Sequence, residues 1–268
     1  MLRQEVQSFL AGHGIRLSTD LGQHFLVSDD ALEAIVETAN VNNRDKVIEI
    51  GPGIGILTRE LVHRAEHVTA VEIDPRFPPL LKEFTEHPKN LDIIQGNALH
   101  STLPTEDPYK IVANIPYHIT SPLLHRFLME EKRRPTSMTL LIQREVAENI
   151  VSDGTESVLT LLVQLFGHPS LVLQVPPAAF LPPPKVDSAV LHIDLYDEPK
   201  ASRSVMEKAL TLLKHAGRER RKMLRNTIGS LPGGMDALSS LNIEPTRRPQ
   251  TLTVDEWVAL ATVFLSAA

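Results

Sequence analysis

Short apolar segments alternate with helical apolar patterns along the first half of the chain. Apolar runs predict strands at 46–50, 68–72, 91–95, 110–114 and 138–142. Apolar residues spaced three and four apart predict helices at 28–40, 55–65, 76–86, 120–132 and 143–152. Repeated strand–helix units predict an α/β fold with a parallel sheet that helices cover on both faces.

The pattern changes in the second half of the chain. Residues 186–195 alternate between polar and apolar positions, which predicts a late, antiparallel strand. The proline-rich segment 176–184 predicts a stiff loop, because proline lacks the N–H that an inner strand needs. From residue 202 onward only helical patterns occur, at 203–216, 218–229, 233–241 and 253–266. We therefore predict an α/β domain over 1–198, with an N-terminal helical segment, and a small all-helical domain over 199–268.

The composition narrows the possible chemistry. The chain has 268 residues and no cysteine, which excludes disulfides, thiolate catalysis and cysteine metal sites. The eleven histidines are scattered, and we predict no metal site. No segment has the ~20 apolar residues that cross a bilayer, and the first residues lack the apolar core of a signal peptide. These features predict a soluble, cytoplasmic protein that does not bind a membrane.

Positive charge is concentrated in one segment, although the formal net charge is −6. Residues 200–225 include nine basic and two acidic side chains, a balance of +7 that leaves −13 for the remainder. Arg218, Arg221, Lys222 and Arg225 would share one face of the predicted 218–229 helix. Such a stripe is either a solvated helix face or a footprint for phosphate groups. We predict that it contacts RNA.

A glycine-rich turn follows the first predicted strand of the sheet. Segment 49–55 reads Glu-Ile-Gly-Pro-Gly-Ile-Gly, and glycine lets the backbone approach a ligand closely. Glu72 ends the second strand, about twenty residues further on, where an acidic side chain can bind ribose hydroxyls. Together they predict an adenosine-containing cofactor, NAD or S-adenosylmethionine, rather than a plain turn. Ile56 replaces the glycine of a dinucleotide fingerprint, and Glu49 and Pro52 favour S-adenosylmethionine.

Two asparagines lie at the carboxyl ends of the third and fourth predicted strands. Asn97 follows the third strand, where its amide oxygen could accept the adenine amine, although an ordinary Gly-Asn turn fits equally well. Asn114 begins the tetrapeptide Asn-Ile-Pro-Tyr, in which the Asn oxygen and a carbonyl near Pro116 could hold the two N–H groups of an exocyclic amine. Tyr117 could stack on the base that carries this amine. The alternative is a proline turn with a half-buried tyrosine.

Six segments, in this order, resemble the KsgA-type rRNA adenine N6,N6-dimethyltransferases over about residues 18–264. The segments are Leu21-Gly22-Gln23-His24-Phe25-Leu26, 49–55, Asn114-x-Pro116-Tyr117, Gln143-Arg144-Glu145-Val146-Ala147, the block 175–190 and Arg220-Arg221-Lys222-x-Leu224-Arg225-Asn226. The block 175–190 is the most specific, and the glycine turn alone is not specific.

The resemblance implies a Rossmann-like class I S-adenosylmethionine-dependent methyltransferase domain and an all-helical C-terminal domain. It implies dimethylation of two adjacent adenosines near the 3′ end of small-subunit (16S) rRNA, in an immature 30S particle and by a monomer. Asn114, Pro116 and Tyr117 match the catalytic tetrapeptide, and Phe180 matches a second ring that would clamp the extruded base. The cofactor contacts expected from the glycine turn and the resemblance are His24, Leu26, Gly51, Gly53, Gly55, Glu72, Asn97 and Asn114.

The chain departs from the family pattern in several places. Asn97 stands where the family usually has Asp, segment 156–160 lacks the usual Tyr-Gly-x-Leu-Ser, and segment 16–20 lacks the usual basic cluster. The acidic net charge is also unusual for an rRNA-binding protein. Three alternatives remain: an Erm-type methyltransferase of large-subunit rRNA, an N6-adenine DNA or glutamine-amide methyltransferase, and a non-catalytic assembly factor. Ile115 and the C-terminal match count against the second alternative.

Overall fold

A computed structural model describes residues 2–18, 22–105, 108–152, 154–155, 157–219 and 221–267. Five positions of these motifs and segments therefore lie outside the described residues: Thr19 and Asp20 of segment 16–20, Leu21 of the first motif, Glu156 of segment 156–160 and Arg220 of the basic segment. None of the helices in the described ranges is long and apolar enough to cross a membrane.

Ten helices and nine strands occur in the described ranges. The helices are α1 (Leu2–Gly12), α2 (Asp29–Ala39), α3 (Ile56–Val62), α4 (Phe77–Phe84), α5 (Thr120–His125), α6 (Arg144–Val151), α7 (Val158–Phe166), α8 (Arg203–Gly217), α9 (Gly234–Ser240) and α10 (Val254–Ser266). The strands are β1 (Phe25–Leu26), β2 (Lys46–Ile50), β3 (His67–Glu72), β4 (Leu91–Gln95), β5 (Tyr109–Asn114), β6 (Ser137–Gln143), β7 (Gly167–Val175), β8 (Phe180–Leu181) and β9 (Ser188–Leu195).

A seven-stranded sheet has the spatial order β4-β3-β2-β5-β6-β9-β7. Strands β2 to β6 pair in parallel, and β9 pairs with β6 in the antiparallel sense that its alternating sequence predicted. The order reverses between β2 and β5, and ligands bind at such a switch point beyond the carboxyl ends of the strands. Glu72 and Asn114 each end a strand at this edge. A separate antiparallel pair, β1 with β8, aligns Leu26 with Phe180.

Contacts within the chain divide it into two compact units, residues 1–147 with 170–195 and residues 148–169 with 196–268. Helix α7 groups with the C-terminal helices in this division, whereas the sequence-based boundary falls at 198–199. The division into domains 1–198 and 199–268 stays a prediction. In the second unit α8 packs on α7 and α10, and Trp257 of α10 is fully buried.

The predicted helix over 218–229 is wrong. Helix α8 ends at Gly217, and the chain then forms short 3₁₀ turns at Leu224–Asn226 and Ile228–Ser230. The backbone N–H of Leu224 donates to the carbonyl of Arg247 (2.8 Å), a bond that a helix would have used internally. Leu224 and Ile228 are fully buried, so packing in the second unit overrides local helical spacing.

Candidate active site

The glycine turn between β2 and α3 is shaped by two close approaches. Gly51 has φ +67° and donates its N–H to the carbonyl of Val71 (3.0 Å) on the neighbouring strand. Gly53 has φ +58°, and a Cβ there would lie 2.4 Å from the Phe25 ring. Both positions need glycine for conformation, and Gly53 also needs it for space. The turn therefore holds its backbone against the cavity at the switch point, where Gly51 and Gly53 are lining residues.

Glu72 is anchored by backbone N–H groups on both carboxylate oxygens. Its Oε2 accepts from Gly53 N–H (2.9 Å) and its Oε1 accepts from Asp74 N–H (2.8 Å), and the side chain is 5 % exposed. Burial raises the pKa of this carboxyl, while the two backbone hydrogen bonds oppose the rise. Each oxygen keeps a further lone pair that can accept from a ligand hydroxyl at the cavity wall.

Ile73 and Asn97 extend the same cavity. Ile73 follows Glu72 and is 58 % exposed, an unusual exposure for a large apolar side chain, and the sequence analysis did not single it out. Asn97 uses its Oδ1 locally to accept the N–H of Leu99 (2.9 Å). Its Oδ1 keeps a second lone pair and its Nδ2 can donate, so the contact with an adenine amine stays a prediction. An apolar face beside an amide suits a planar heteroaromatic ring.

Arg126 braces the loop that carries Asn97. Its guanidinium donates to the carbonyl of Ser101 (Nη2, 2.7 Å) and also to that of Ala98. Its Nε donates to Glu131 Oε1 (2.7 Å), which satisfies the buried charge. This arginine lies in a π-helical turn, Arg126–Glu130, where a continuous α-helix was predicted.

The segment before β1 is tied to the tip of β3. Gln23 Nε2 donates to Asp74 Oδ2 (2.7 Å), and Gln23 Oε1 accepts the N–H of Ser18 (2.7 Å). Arg76 Nη2 also donates to Asp74 Oδ2 (2.6 Å), and this hydrogen bond lowers the pKa of Asp74 to about 2. These bonds position residues 22–25 as one wall of the cavity.

Asn114 has its amide oriented by the protein. Its Nδ2 donates to the backbone carbonyl of His24 (3.0 Å), so Oδ1 is the amide atom left to accept from a ligand. Pro116 follows with φ −55°, and a Cβ on Gly22 would lie 3.0 Å from the Pro116 Cβ. The tetrapeptide thus packs tightly against the segment at Gly22.

Two cavities meet at Asn114. One contains the glycine turn, Glu72 and Asn97; the other contains Ile115, Tyr117 and Gln143. Their shared lining residues are Gly22, His24, Asn114, Pro116 and His118. Asn114 therefore lines both the cavity beside the glycine turn and the cavity beside Tyr117.

Tyr117 is fixed by a partner on β9. Its hydroxyl lies 2.6 Å from Ser188 Oγ, and Ser188 is fully buried. Burial raises the pKa of the Tyr117 phenol, so the ring is neutral at pH 7. Its plane lies 15° from that of His24, with 6.4 Å between the ring centroids. Ser188 lies in the block 175–190, but no sequence pattern there indicates this role.

Three residues that the sequence assigned to the site are not among the lining residues of either cavity. Leu26 is buried within the β1–β8 pair, and a Cβ on Gly55 would face Thr85 and Leu81 of the neighbouring α4 segment. The Phe180 ring is 1 % exposed in the hydrophobic core. A stacking role for Phe180 requires this ring to leave the core, and it stays a prediction.

Glu49, under the glycine turn, is a buried acid. The side chain is 2 % exposed, and burial raises its pKa to about 8. Between the ordinary pKa of 4.5 and about 8 the folded chain keeps this proton while the unfolded chain has lost it. Stability therefore falls as the pH rises through that window.

We expect Glu49→Gln to remove this dependence. The melting temperature of the variant should fall less steeply between pH 5 and pH 8 than that of the wild type. In the wild type the Glu49 carboxyl lowers the free energy of unfolding by up to about 1.4 kcal/mol per pH unit in this range. Thermal denaturation across the range measures the slope. Glu66→Gln, at an exposed position, should keep the wild-type slope. An unchanged slope for Glu49→Gln would contradict the assignment.

The four basic residues of the predicted phosphate footprint are all exposed in the second unit. Arg218, Arg221 and Lys222 line one open depression together with Glu219, which pairs with Lys222. Arg225 belongs to the next 3₁₀ turn. The residues therefore do not form a helix face, although they keep their charge at the surface.

No group of three or more His, Asp or Glu side chains in the described ranges is arranged to hold a metal ion. His63 and His67 are four residues apart with Glu66 between them, but His63 caps α3 and His67 begins β3. The absence of a metal in the mechanism stays a prediction.

Comparisons with known proteins agree on one family. Residues 14–265 match the family described as ribosomal RNA adenine dimethylase. The chain is 39% identical to ribosomal RNA small subunit methyltransferase A of Dehalococcoides mccartyi strain BAV1, over 97% of this chain and 92% of that protein. It is 36% identical to the protein of the same name from Alkaliphilus oremlandii, over 96% and 95%.

Solved structures give the same picture. A dimethyladenosine transferase from Plasmodium falciparum is similar with a TM-score of 0.76 and 26% identity, over 91% of this chain and 98% of that chain. The 23S rRNA methyltransferase ErmE is similar with a TM-score of 0.70 and 28% identity, over 89% and 98%. The expected Rossmann-like class I methyltransferase fold is confirmed. This chain belongs to the ribosomal RNA adenine dimethylase family.

Proposed function

We propose that this protein transfers methyl groups from S-adenosyl-L-methionine to N6 of two adjacent adenosines near the 3′ end of small-subunit (16S) rRNA. The observation that carries the proposal is the meeting of two cavities at Asn114, whose Oδ1 is free to accept from a ligand. The substrate is an immature 30S particle, encountered in the cytoplasm by a monomeric enzyme that uses no metal.

The cofactor cavity fits S-adenosylmethionine. Glu72 offers two carboxylate oxygens at a strand tip, as a ribose diol requires, and Ile73 offers an apolar face for adenine. Gly51 and Gly53 keep the backbone close to the cofactor, and Asn97 can reach its adenine edge. When bound, the cofactor supplies an electrophilic methyl group on sulfur.

Asn114 prepares the amine for attack. The lone pair of an adenine N6 is conjugated with the ring, so the amine is planar and weakly nucleophilic. Accepting one N6–H at Oδ1, and the other at a carbonyl near Pro116, turns the amine toward the methyl group. Positioning of this kind can lower the activation free energy by several kcal/mol without a strong base, and this reduction is entropic. Tyr117 supports the base by stacking, for about 1–3 kcal/mol.

The names of the relatives favour small-subunit rRNA over large-subunit rRNA. The proteins that are 39% and 36% identical are named small subunit methyltransferases, whereas the 23S rRNA enzyme is 28% identical. Fold does not separate the two, because both structural relatives share it. An assembly factor without activity is disfavoured, since Asn114, Tyr117 and Glu72, which the proposed reaction uses, are all present and held by hydrogen bonds.

The test is methyl transfer from tritiated cofactor to four separate substrates: undermethylated 30S particles, naked small-subunit rRNA, 50S particles and DNA. Label in N6,N6-dimethyladenosine from 30S material is expected. Label from 50S particles or DNA alone would overturn the choice of substrate. The absence of label from every substrate would leave the assembly factor.

The exposed basic residues between 218 and 225 contact rRNA phosphates in this proposal. They belong to the C-terminal domain, 199–268, which docks the enzyme while the Asn114 cavity selects adenine. Phosphate contacts set position and not sequence, which suits a docking surface. Lys222 contributes less than the arginines, because Glu219 already pairs with it.

We expect Arg221→Gln/Arg225→Gln to weaken binding to undermethylated 30S particles and to flatten its salt dependence. Losing two phosphate contacts should reduce the slope of log K against log salt by roughly 1.5–2. Filter binding between 50 and 300 mM salt, roughly the range in which phosphate contacts dominate affinity, measures both. Arg44→Gln/Lys89→Gln removes the same charge at exposed positions just before β2 and β4, at the amino ends of these strands, and should leave the slope unchanged. Equal slopes for the two double variants would contradict the docking role.

A further inference from the structure

The Asp74 carboxylate accepts hydrogen bonds from two different segments. Its Oδ2 accepts from Gln23 Nε2 (2.7 Å), and its Oδ1 accepts from the backbone N–H (3.0 Å) and the Nε (2.9 Å) of Arg76. The side chain is buried, and the hydrogen bonds from Arg76 keep it ionised by lowering its pKa to about 2. Hydrogen bonds to an ionised acceptor are short and strong. Asp74 therefore gives Gln23 a firm attachment point, two residues beyond Glu72.

The Gln23 side-chain amide is used at both ends. Its Oε1 accepts the N–H of Ser18 (2.7 Å), so its Nε2 is the end that donates to Asp74. The Gln23 backbone N–H donates to the carbonyl of Ser18 (3.1 Å). Arg76 adds a hydrogen bond from Nη1 to the carbonyl of Arg16 (3.0 Å). The chain before β1 is thus joined to the tip of β3, and Gln23 is the residue at which most of these bonds meet.

The residue after Gln23 holds the Asn114 amide. The His24 carbonyl accepts the hydrogen bond from Asn114 Nδ2 (3.0 Å), which leaves Oδ1 as the amide atom that can accept from a ligand. Because His24 follows Gln23 directly, a shift of the Gln23 backbone moves this carbonyl. Asp74 is in turn joined to Glu72, whose Oε1 accepts the Asp74 N–H (2.8 Å). Hydrogen bonds and covalent bonds therefore connect the expected ribose acid to the expected catalytic amide without a gap.

We infer that Gln23 and Asp74 form a positioning pair for methyl transfer, which sets the Asn114 amide through the His24 carbonyl. The inference rests on the proposed function and deepens it. Asp74 is not among the lining residues of either cavity, so its effect on the reaction must pass through Gln23. A displacement of about 1 Å at a reacting group can reduce a rate about 100-fold, so a bond outside the cavities can still control turnover.

Reversing the polarity of the pair gives a selective test. Gln23→Glu keeps an acceptor for the Ser18 N–H but places a carboxylate against the Asp74 carboxylate. Asp74→Asn, with its oxygen held by Arg76, places an NH₂ group against the NH₂ group of Gln23. The double variant Gln23→Glu/Asp74→Asn restores one donor and one acceptor and keeps the net charge of the wild type. Gln7→Glu, at an exposed position of α1, controls for the added charge.

Steady-state kinetics with undermethylated 30S particles, at saturating S-adenosylmethionine, separate kcat from KM. Each single variant should lower kcat about tenfold or more and leave the KM for 30S particles within about threefold of the wild type. The double variant should recover kcat to within about threefold, and Gln7→Glu should match the wild type. Wild-type kcat in Gln23→Glu, two losses that simply multiply in the double variant, or a defect confined to the cofactor Kd would overturn the inference. Thermal denaturation checks folding, and Gln23→Glu decides alone if Asp74→Asn does not fold.

The Asn114 amide gives a readout that needs no turnover. In NMR spectra of protein with isotope-labelled asparagine side chains, the Nδ2 resonance that disappears in Asn114→Ala identifies this amide. Gln23→Glu should shift its hydrogen-bonded proton, and the reversed pair should return it toward the wild-type position. An unchanged resonance in Gln23→Glu would overturn the inference even where kcat falls. If wild-type protein methylates none of the tested substrates while the resonance responds in this way, the proposed function fails and the positioning of the amide stands.

Discussion

Replacement of Asn114 by alanine should abolish methyl transfer while the protein still binds its cofactor. The variant loses the Oδ1 acceptor for the adenine amine and the Nδ2 donor to the His24 carbonyl. Loss of one such preorganised contact at a reacting group lowers kcat by roughly 10²–10³. The hydrogen bond from Asn114 to the His24 carbonyl also holds the segment at His24 beside the cavity. Single-turnover transfer to undermethylated 30S particles and calorimetric titration with S-adenosylmethionine measure the two properties separately.

The matched control is Asn43→Ala, the same substitution in the loop before β2, at the amino ends of the parallel strands. Its turnover should equal that of the wild type. The Asn114 assignment fails if Asn114→Ala loses cofactor affinity but transfers methyl groups normally once the cofactor is saturating. A cofactor Kd within about threefold of the wild type, together with a lost reaction, supports it.

Glu72→Gln should weaken the binding of S-adenosylmethionine by about 100-fold or more. A glutamine has only one acceptor oxygen, so its NH₂ group would face one of the two backbone N–H groups, of Gly53 and Asp74, from which the carboxylate accepts hydrogen bonds. Hydrogen bonds to a charged group are worth about 1.5–3 kcal/mol each, and the ribose contacts are of this kind. Calorimetry measures the Kd, and thermal denaturation shows whether the glycine turn still folds.

The pH dependence of cofactor binding gives a second signature of Glu72. Its pKa is raised, so the carboxyl takes up a proton as the pH falls through that raised value. The protonated form accepts hydrogen bonds more weakly, and the wild-type affinity should fall on acidification. The glutamine variant should lack this decline. Glu66→Gln, just before the amino end of the same strand, should bind as the wild type does. A normal Kd for Glu72→Gln would contradict the ribose contact.

The inner strands β2, β3, β5 and β6 were readable from sequence because they are short, largely buried apolar runs. The predicted strands at 46–50 and 91–95 are confirmed to the residue, and those at 68–72 and 110–114 begin one residue late. The predicted strand 138–142 is one residue short at each end, and 186–195 begins two residues early. Helix α1 was missed, although Leu2, Val6 and Leu10 are buried at helical spacing. The β1–β8 pair could not be predicted, because two residues carry no pattern and the pairing joins distant segments. At 218–229 the basic spacing fits a helix, but burial of Leu224 decides the backbone.

The polar residues of the site could be predicted from the sequence more readily than the residues that hold them in place. Glu72 and Asn114 stand at strand ends, and parallel strands place their carboxyl ends at one edge. Ser188 and Arg126 act through contacts between residues 71 and 25 positions apart, which no local pattern reveals. Phe180 shows the converse: its motif is specific, yet its burial depends on the packing of the whole unit.

The free Oδ1 of Asn114 has a consequence for how many methyl groups the enzyme adds. Under the proposed chemistry an unmodified adenine offers two N6–H donors, a monomethylated adenine offers one, and a dimethylated adenine offers none. The first two can pair with Oδ1, so the half-finished base remains a good ligand for the second round. The finished base leaves this part-buried oxygen without a donor, at a cost of about 1–3 kcal/mol. The same atom thus favours retention of the monomethylated intermediate and release of the dimethylated product. The reaction stops at two methyl groups because the product has no N–H left for Oδ1 to accept.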